Sequence, residues 1–221
     1  MLRKALAGAL MCLVLTGISF AQTVSQHLQN ISVTVVTARG SGSGVIVTRE
    51  VEGKKINFVT TAGHVIEGSR HVVKNTDSSG KLIDEKVYFD DVVIVKPLVE
   101  NGRRVGEIRM DAKVVKYSSP ERGHDLAVLE VRKLDFVQDS AKYYLDTQPI
   151  ELGTDLFHVG SLLGEFGSNS MTKGVYSFEG RVLFDKIFDQ TSATSFPGSS
   201  GGGVYLVDGR CVGFVVRGGG E

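Results

Sequence analysis

Apolar residues recur along this chain in short valine- and isoleucine-rich runs, with polar residues and turn formers between them. That pattern predicts strands rather than helices. In the first half the runs fall at residues 31–37, 44–48, 56–60, 72–74, 86–89, 92–95, 112–117 and 126–131. In the second half they fall at 156–159, 174–183, 203–207 and 211–216. Glu52-Gly53, Ser79-Gly80 and Asn101-Gly102 punctuate the earlier runs, and Asp208-Gly209 between the last two reads as a tight hairpin. No helical periodicity is sustained; a short helix is predicted around 65–67, and 23–30 fits either a helical turn or a loose arm. Residues 133–148 are polar and lack alternation, so they read as a connection between halves with its charge in solvent. No internal repeat is visible, which excludes solenoids and propellers.

Composition sharpens this picture. A chain of 221 residues suits one domain or two small barrels packed together. Its 27 glycines and absence of tryptophan fit an all-β protein with many tight turns. Lys and Arg number 25, as do Asp and Glu, so the formal net charge is zero. That balance argues against nucleic acid or an anionic membrane surface as the main partner.

The N-terminus is set apart from the fold. Arg3 and Lys4 precede an apolar stretch over 5–20, and Ser19-Phe20-Ala21 places small residues at the usual cleavage spacing. The stretch is short for a spanning helix, which needs about 20 residues. Residues 1–21 are therefore predicted to be a signal peptide, directing the protein to the periplasm or outside the cell. The alternative is an uncleaved N-terminal anchor with transient membrane association. Cys12 lies inside the apolar stretch, so cleavage leaves only Cys211 and no internal disulfide. One remaining cysteine and scattered histidines predict no metal, and no cofactor motif is present: the run Gly40 to Gly44 lacks a phosphate-loop ending and reads as a bend between strands.

The most chemically informative segment is Gln190-Thr191-Ser192-Ala193-Thr194-Ser195-Phe196-Pro197-Gly198-Ser199-Ser200-Gly201-Gly202-Gly203. A serine hydroxyl is a weak nucleophile until a base takes its proton and donors meet the oxyanion it creates. Flanking glycines allow a sharp turn and aim N–H groups into the site. The frame Gly-x-Ser-Gly-Gly selects Ser200 as the nucleophile, leaves Ser199 at the variable position and assigns the N–H groups of Gly198 and Ser200 to the oxyanion hole. Thr60-Thr61-Ala62-Gly63-His64-Val65 supplies a base, His64, whose neutral imidazole can accept the serine proton. Gly123-His124-Asp125-Leu126-Ala127-Val128-Leu129 supplies Asp125, a carboxylate at the mouth of a strand that can fix the imidazole tautomer.

These blocks, with Gly42-Ser43-Gly44-Val45-Ile46-Val47 and Thr172-Lys173-Gly174-Val175-Tyr176-Ser177, resemble the chymotrypsin-fold serine proteases, in particular the secreted HtrA/Deg-like branch. The order His, Asp, Ser is that family's order. The resemblance implies two packed antiparallel β-barrels, with residues 22–135 carrying His64 and Asp125, residues 136–221 carrying Ser200, and the active site in the cleft between them. It implies a serine endopeptidase acting on polypeptide through an acyl-enzyme. It also implies a primary pocket with Thr194 at its floor and the strand Phe214-Val215-Val216 as its wall. No acid stands at that floor, so small or medium apolar side chains are favoured over Lys or Arg. His64 and Asp125 are 61 residues apart, longer than HtrA-like members usually show, which implies an insertion among 75–109. Relatives continue with a further strand, and many with a PDZ domain, neither of which is written here. The edge at 214–216 is therefore expected to be open and the pocket shallow. The competing function is a non-catalytic module that keeps this fold and docks peptides by strand addition.

Overall fold

The computed structural model describes residues 22–100, 103–183 and 185–217. The expected leader, residues 1–21, and the turn Asn101-Gly102 lie outside the described residues. The fold opens with helix α1 (Val24–Asn30), started by a reciprocal cap in which Gln26 N–H donates to Thr23 Oγ1 and Thr23 N–H to Gln26 Oε1. The helix anchors itself through Leu28, which is fully buried.

Strands β1 (Ser32–Thr37), β2 (Gly40–Val51) and β3 (Lys54–Ala62) follow. Glu52 and Gly53 both take positive φ, 51° and 73°, which is the primed geometry that a two-residue hairpin requires. Next come helix α2 (Gly63–Ile66), a 3-10 turn (Glu67–Ser69), and the hairpin β4 (Arg70–Thr76) and β5 (Leu82–Phe89), which pair only with each other. Strands β6 (Val92–Glu100), β7 (Arg103–Ser118) and β8 (Leu126–Val131) complete a closed barrel in the order β1-β2-β3-β8-β7-β6. The 61-residue span from His64 to Asp125 thus holds a hairpin that pairs only with itself and the long β6–β7 pair.

The second half contains β9 (Lys142–Tyr143), β10 (Asp155–Gly160), β11 (Ser170–Leu183), β12 (Lys186–Thr191), β13 (Gly203–Leu206) and β14 (Arg210–Phe214). They form one six-stranded sheet, β12-β11-β10-β13-β14-β9, in which β9 runs parallel to β14 and every other pair is antiparallel. This is the expected two-barrel architecture with the second barrel unclosed, because β9 and β12 do not pair. Val33, Val35, Val45, Ile46, Ile94 and Leu129 fill the first barrel, and the same core continues into Val159, Tyr205 and Cys211 of the second. Fully burying each aliphatic side chain contributes about 1.5–3 kcal/mol, so the shared core joins the halves.

Two expectations need correction. Gly40 to Gly44 is not a bend but the first part of β2. A Cβ on Gly44 would lie 2.4 Å from a Val59 methyl, so the missing side chain there serves close packing rather than a turn. Strands β9 and β12 arise where no apolar run is evident, while 23–30 takes the helical of its two readings as α1.

Candidate active site

Register explains how residues far apart in sequence meet. Strands β3 and β8 pair antiparallel, with Ala62 opposite Leu126 as the last partners. The next residue on each side is Gly63 and Asp125, and Gly63 N–H donates to the Asp125 carbonyl at 3.0 Å. Asp125 adopts the left-handed conformation (φ 53°), which turns its carboxylate under the start of α2. There Oδ1 accepts from the His64 backbone N–H at 2.8 Å, and Oδ2 lies 2.9 Å from His64 Nδ1. A carboxylate oxygen can only accept here, so Nδ1 carries the proton and Nε2 keeps its lone pair for the cleft. Asp125 is 5% exposed, while His64 opens to solvent. Gly63 is required in this packing, since a Cβ would lie 2.5 Å from the Ser118 carbonyl.

Ser200 comes from the other half, on the turn before β13. Gly198 and Gly201 hold positive φ, 96° and 85°, and bring the chain around the serine. Ser43 on β2 carries the turn across the interface. Its N–H donates to the Ser200 carbonyl at 2.7 Å, and its hydroxyl donates to the Gly198 carbonyl at 2.6 Å while accepting from Ser161 N–H at 2.7 Å. Its own carbonyl accepts from Thr61 Oγ1 at 2.7 Å. Gly42 and Gly201 permit this approach. A Cβ on Gly42 would lie 2.9 Å from the Ser200 carbonyl, and one on Gly201 would lie 2.2 Å from the Ser43 carbonyl.

Among the described residues, no acceptor takes the N–H of Gly198 or of Ser200, whereas Ser199 N–H donates to Phe196 O at 2.9 Å. The Ser199 hydroxyl is buried and accepts from Phe196 N–H at 3.0 Å. Two free donors thus flank a partly exposed Ser200, and Ser199 is committed to the turn. No hydrogen bond joins Ser200 Oγ to His64 among the described residues. Such contacts are often long in unliganded sites and tighten with substrate.

Thr194, Phe214, Val215 and Val216 all line one cavity of about 1040 Å³. Its lining also includes Glu179, Asp189 and Arg181, so acidic groups are present beyond the Thr194 floor. Tyr176 stands beside Asp189, and burial, then that negative charge, push its phenol up to about 12. The expected strand over Phe214–Val216 ends at Phe214. Val215 is not an open edge: its N–H donates to Gly202 O at 2.9 Å and its carbonyl accepts from Gly201 N–H at 2.6 Å.

The sequence reading missed Ser43, Thr61 and the histidine behind the serine turn. His158 is fully buried, donates Nδ1–H to Gly203 O at 3.1 Å and has no partner for Nε2 among the described residues. Burial pushes its pKa down. Burial also raises the Cys211 thiol to about 12. Among the described residues, no cluster of three or more His, Cys, Asp or Glu could hold a metal ion, and no helix is long and apolar enough to cross a membrane.

The sequence profile of the trypsin-like peptidase domain matches residues 42–214. "Serine protease Do-like HtrA" of Lactobacillus helveticus is 29% identical over 152 residues, covering 66% of this chain and 34% of that protein. The chain thus spans about a third of the length of this curated relative. Among solved structures, that of Deg5 superposes with a TM-score of 0.59 at 22% identity, over 88% of this chain and 82% of that one. The HtrA-type protease AlgW with a tripeptide superposes with a TM-score of 0.60 at 21% identity, over 87% and 52%. These likenesses show the fold.

Proposed function

The chain belongs to the trypsin-like peptidase domain family, and on that premise we propose that it is a serine endopeptidase acting through Ser200, His64 and Asp125. The observation that carries the proposal is the double grip of Asp125 on His64, which fixes the ring's orientation and its tautomer. Ser200 Oγ attacks the scissile carbonyl carbon as His64 Nε2 takes its proton. The carbonyl oxygen becomes an oxyanion that accepts from the N–H groups of Gly198 and Ser200. Buried Asp125 stabilises the imidazolium, which then protonates the leaving amine as the C–N bond breaks. Water attacks the acyl-enzyme by the same route, with His64 again taking and returning the proton. Residues 22–135 supply base and carboxylate, and residues 136–221 supply the nucleophile, so the cleft works only when both halves are docked.

The substrate is polypeptide, and Thr194 with the apolar Phe214, Val215 and Val216 supports cleavage after small or medium apolar side chains. A peptide-library profile tests this; a sharp preference for Lys or Arg would instead assign the cavity's Asp189 or Glu179 to recognition. Export through the leader 1–21 to the periplasm or beyond completes the proposal, and the intact mass of exported protein should begin at Gln22.

The decisive assay is labelling by a fluorophosphonate probe. The wild type should label, and Ser200→Ala should not, with turnover reduced on the order of 10⁶ as for loss of a triad nucleophile. A wild type that refuses the probe would favour the peptide-binding module.

A further inference from the structure

Hairpin β6–β7 outruns its barrel and reaches across to the other half. Arg109 Nη2 donates to the Glu165 carboxylate. Arg104 Nη1 donates to the Glu165 carbonyl and to Ser168 Oγ, each at 3.4 Å. Glu107 ties the two guanidiniums together, accepting from Arg109 Nε at 2.7 Å and from Arg104 Nη2. Two arginines and two carboxylates make a balanced network that ends on the 3-10 turn Gly164–Gly167, just beyond β10.

The turn so gripped is strained. Leu163 and Asn169 are non-glycine residues at φ 63° and 65°, and the buried Asn169 Oδ1 has no partner among the described residues. Backbone of this kind persists only where its surroundings over-determine it. The turn also touches the site. Leu163 N–H donates to the Pro197 carbonyl at 2.8 Å, and Gly198 packs so closely that a Cβ would lie 2.3 Å from Ser161 O and 2.6 Å from Gly164 N. The Pro197 carbonyl and the Gly198 N–H belong to one planar trans peptide, so they point in opposite directions. Holding the carbonyl toward Leu163 turns the N–H away from that residue.

We propose that Glu165, held by Arg104 and Arg109, is a positioning residue that keeps the Gly198 N–H aimed as an oxyanion donor. The linkage runs from hairpin to turn, from Leu163 N–H to Pro197 carbonyl, and through that peptide to Gly198. It rests on the peptidase reading above. It makes turnover depend on a surface ion-pair network, and therefore on the docking of the two halves.

The test follows the rate of fluorophosphonate labelling, resolved into a maximal rate constant and a half-saturating probe concentration. Glu165→Gln should lower the maximal rate about fivefold, the order that a network of exposed ion pairs can supply, and leave half-saturation and thermal midpoint unchanged. Glu165→Arg should lower it further, and adding Arg109→Glu should restore it. High salt should slow the wild type, because exposed charges are screened, but not Glu165→Gln. Lys113→Ala breaks a pair with Glu130 on the same barrel (3.1 Å) and should change nothing. Should Glu165→Arg fail to fold, Glu165→Gln and Arg109→Ala carry the comparison. Wild-type rates in Glu165→Gln, or a change in half-saturation alone, would overturn the proposal while leaving the peptidase reading intact. A wild type that never labels would overturn both.

Discussion

Ser43→Ala removes one hydroxyl, yet it should harm stability and turnover together. The hydroxyl is fully buried, donates to the Gly198 carbonyl at 2.6 Å and accepts from the Ser161 N–H at 2.7 Å. Alanine leaves both groups without that partner. Ser161 is 1% exposed, so its N–H has no access to water and should cost about 1–3 kcal/mol. Gly198 is only half-buried, so its carbonyl can be rehydrated and should cost less, about 0.5–1.5 kcal/mol. The sum is about 1.5–4.5 kcal/mol, and at about 2–4 °C per kcal/mol for a chain of this size the thermal midpoint should fall roughly 3–18 °C. Turnover suffers separately, because Gly198 carries a proposed oxyanion donor. Outright loss of such a donor costs about 10²–10³ in kcat. The Leu163 hydrogen bond to Pro197 remains, so a smaller drop is expected, about tenfold or somewhat more, with KM little changed. Calorimetry and steady-state kinetics on the same preparation measure both effects. A midpoint within 2 °C of wild type (below the roughly 3 °C lower bound) together with unchanged kcat would show that Ser43 does not hold the serine turn.

Three further outcomes are expected. Ser199→Ala should keep most of its activity and lose about 1 kcal/mol of stability, since its hydroxyl only accepts from Phe196 N–H; a loss matching that of Ser200→Ala would mean the wrong serine was chosen. Asp125→Asn should fold yet lose about 10⁴ in kcat, because an amide has one acceptor for the two donors that His64 presents; steady-state rates near wild type would refute the orienting role. His158 has its pKa lowered by burial, so between its folded value and the unfolded value of about 6.5 only the unfolded chain takes up the proton. Stability is therefore full above that pH and declines below it. Thermal midpoints measured at a series of pH values should show this decline in the wild type and a flatter profile in His158→Ala.

The sequence was most legible where chemistry and geometry are local. Strand β8 matches its predicted run, 126–131, because its alternation is complete: Ala127, Leu129 and Val131 are buried and the residues between them are not. Glu52-Gly53 and Asp208-Gly209 turn where their dipeptides say they should, since positive φ is a property of a few neighbouring residues. Strand β12 escaped notice because Lys186–Thr191 is largely exposed and carries no apolar alternation; its partner β11 defines it. The glycine run at 40–44 suggests a bend yet forms a strand for a related reason. Glycine marks both a turn and a place where two backbones nearly touch, and only the partner surface, here Val59, Val65 and Ser200, tells the two apart.

Four illegible residues around the site, Ser43, Ser161, Arg109 and Glu165, bond across the two halves. His64 and Asp125 meet through a single strand pairing, and motifs flanking that pairing reveal both residues. Ser43, Ser161, Leu163, Arg109 and Glu165 act through contacts between segments whose local patterns are unremarkable. A serine in a Gly-Ser-Gly run and a glutamate in a surface turn carry no local sign of what they hold. Yet these residues form the contacts through which the proposed linkage reaches Gly198. Motif residues therefore establish which bonds can be made and broken, while residues outside the motifs establish how often the site is assembled to do so. If that division holds, substitutions at His64, Asp125 and Ser200 should abolish turnover whatever the ionic strength. Substitutions at Glu165 and Arg109 should make turnover lose its salt dependence, and titrating salt across both sets separates the two classes in one experiment.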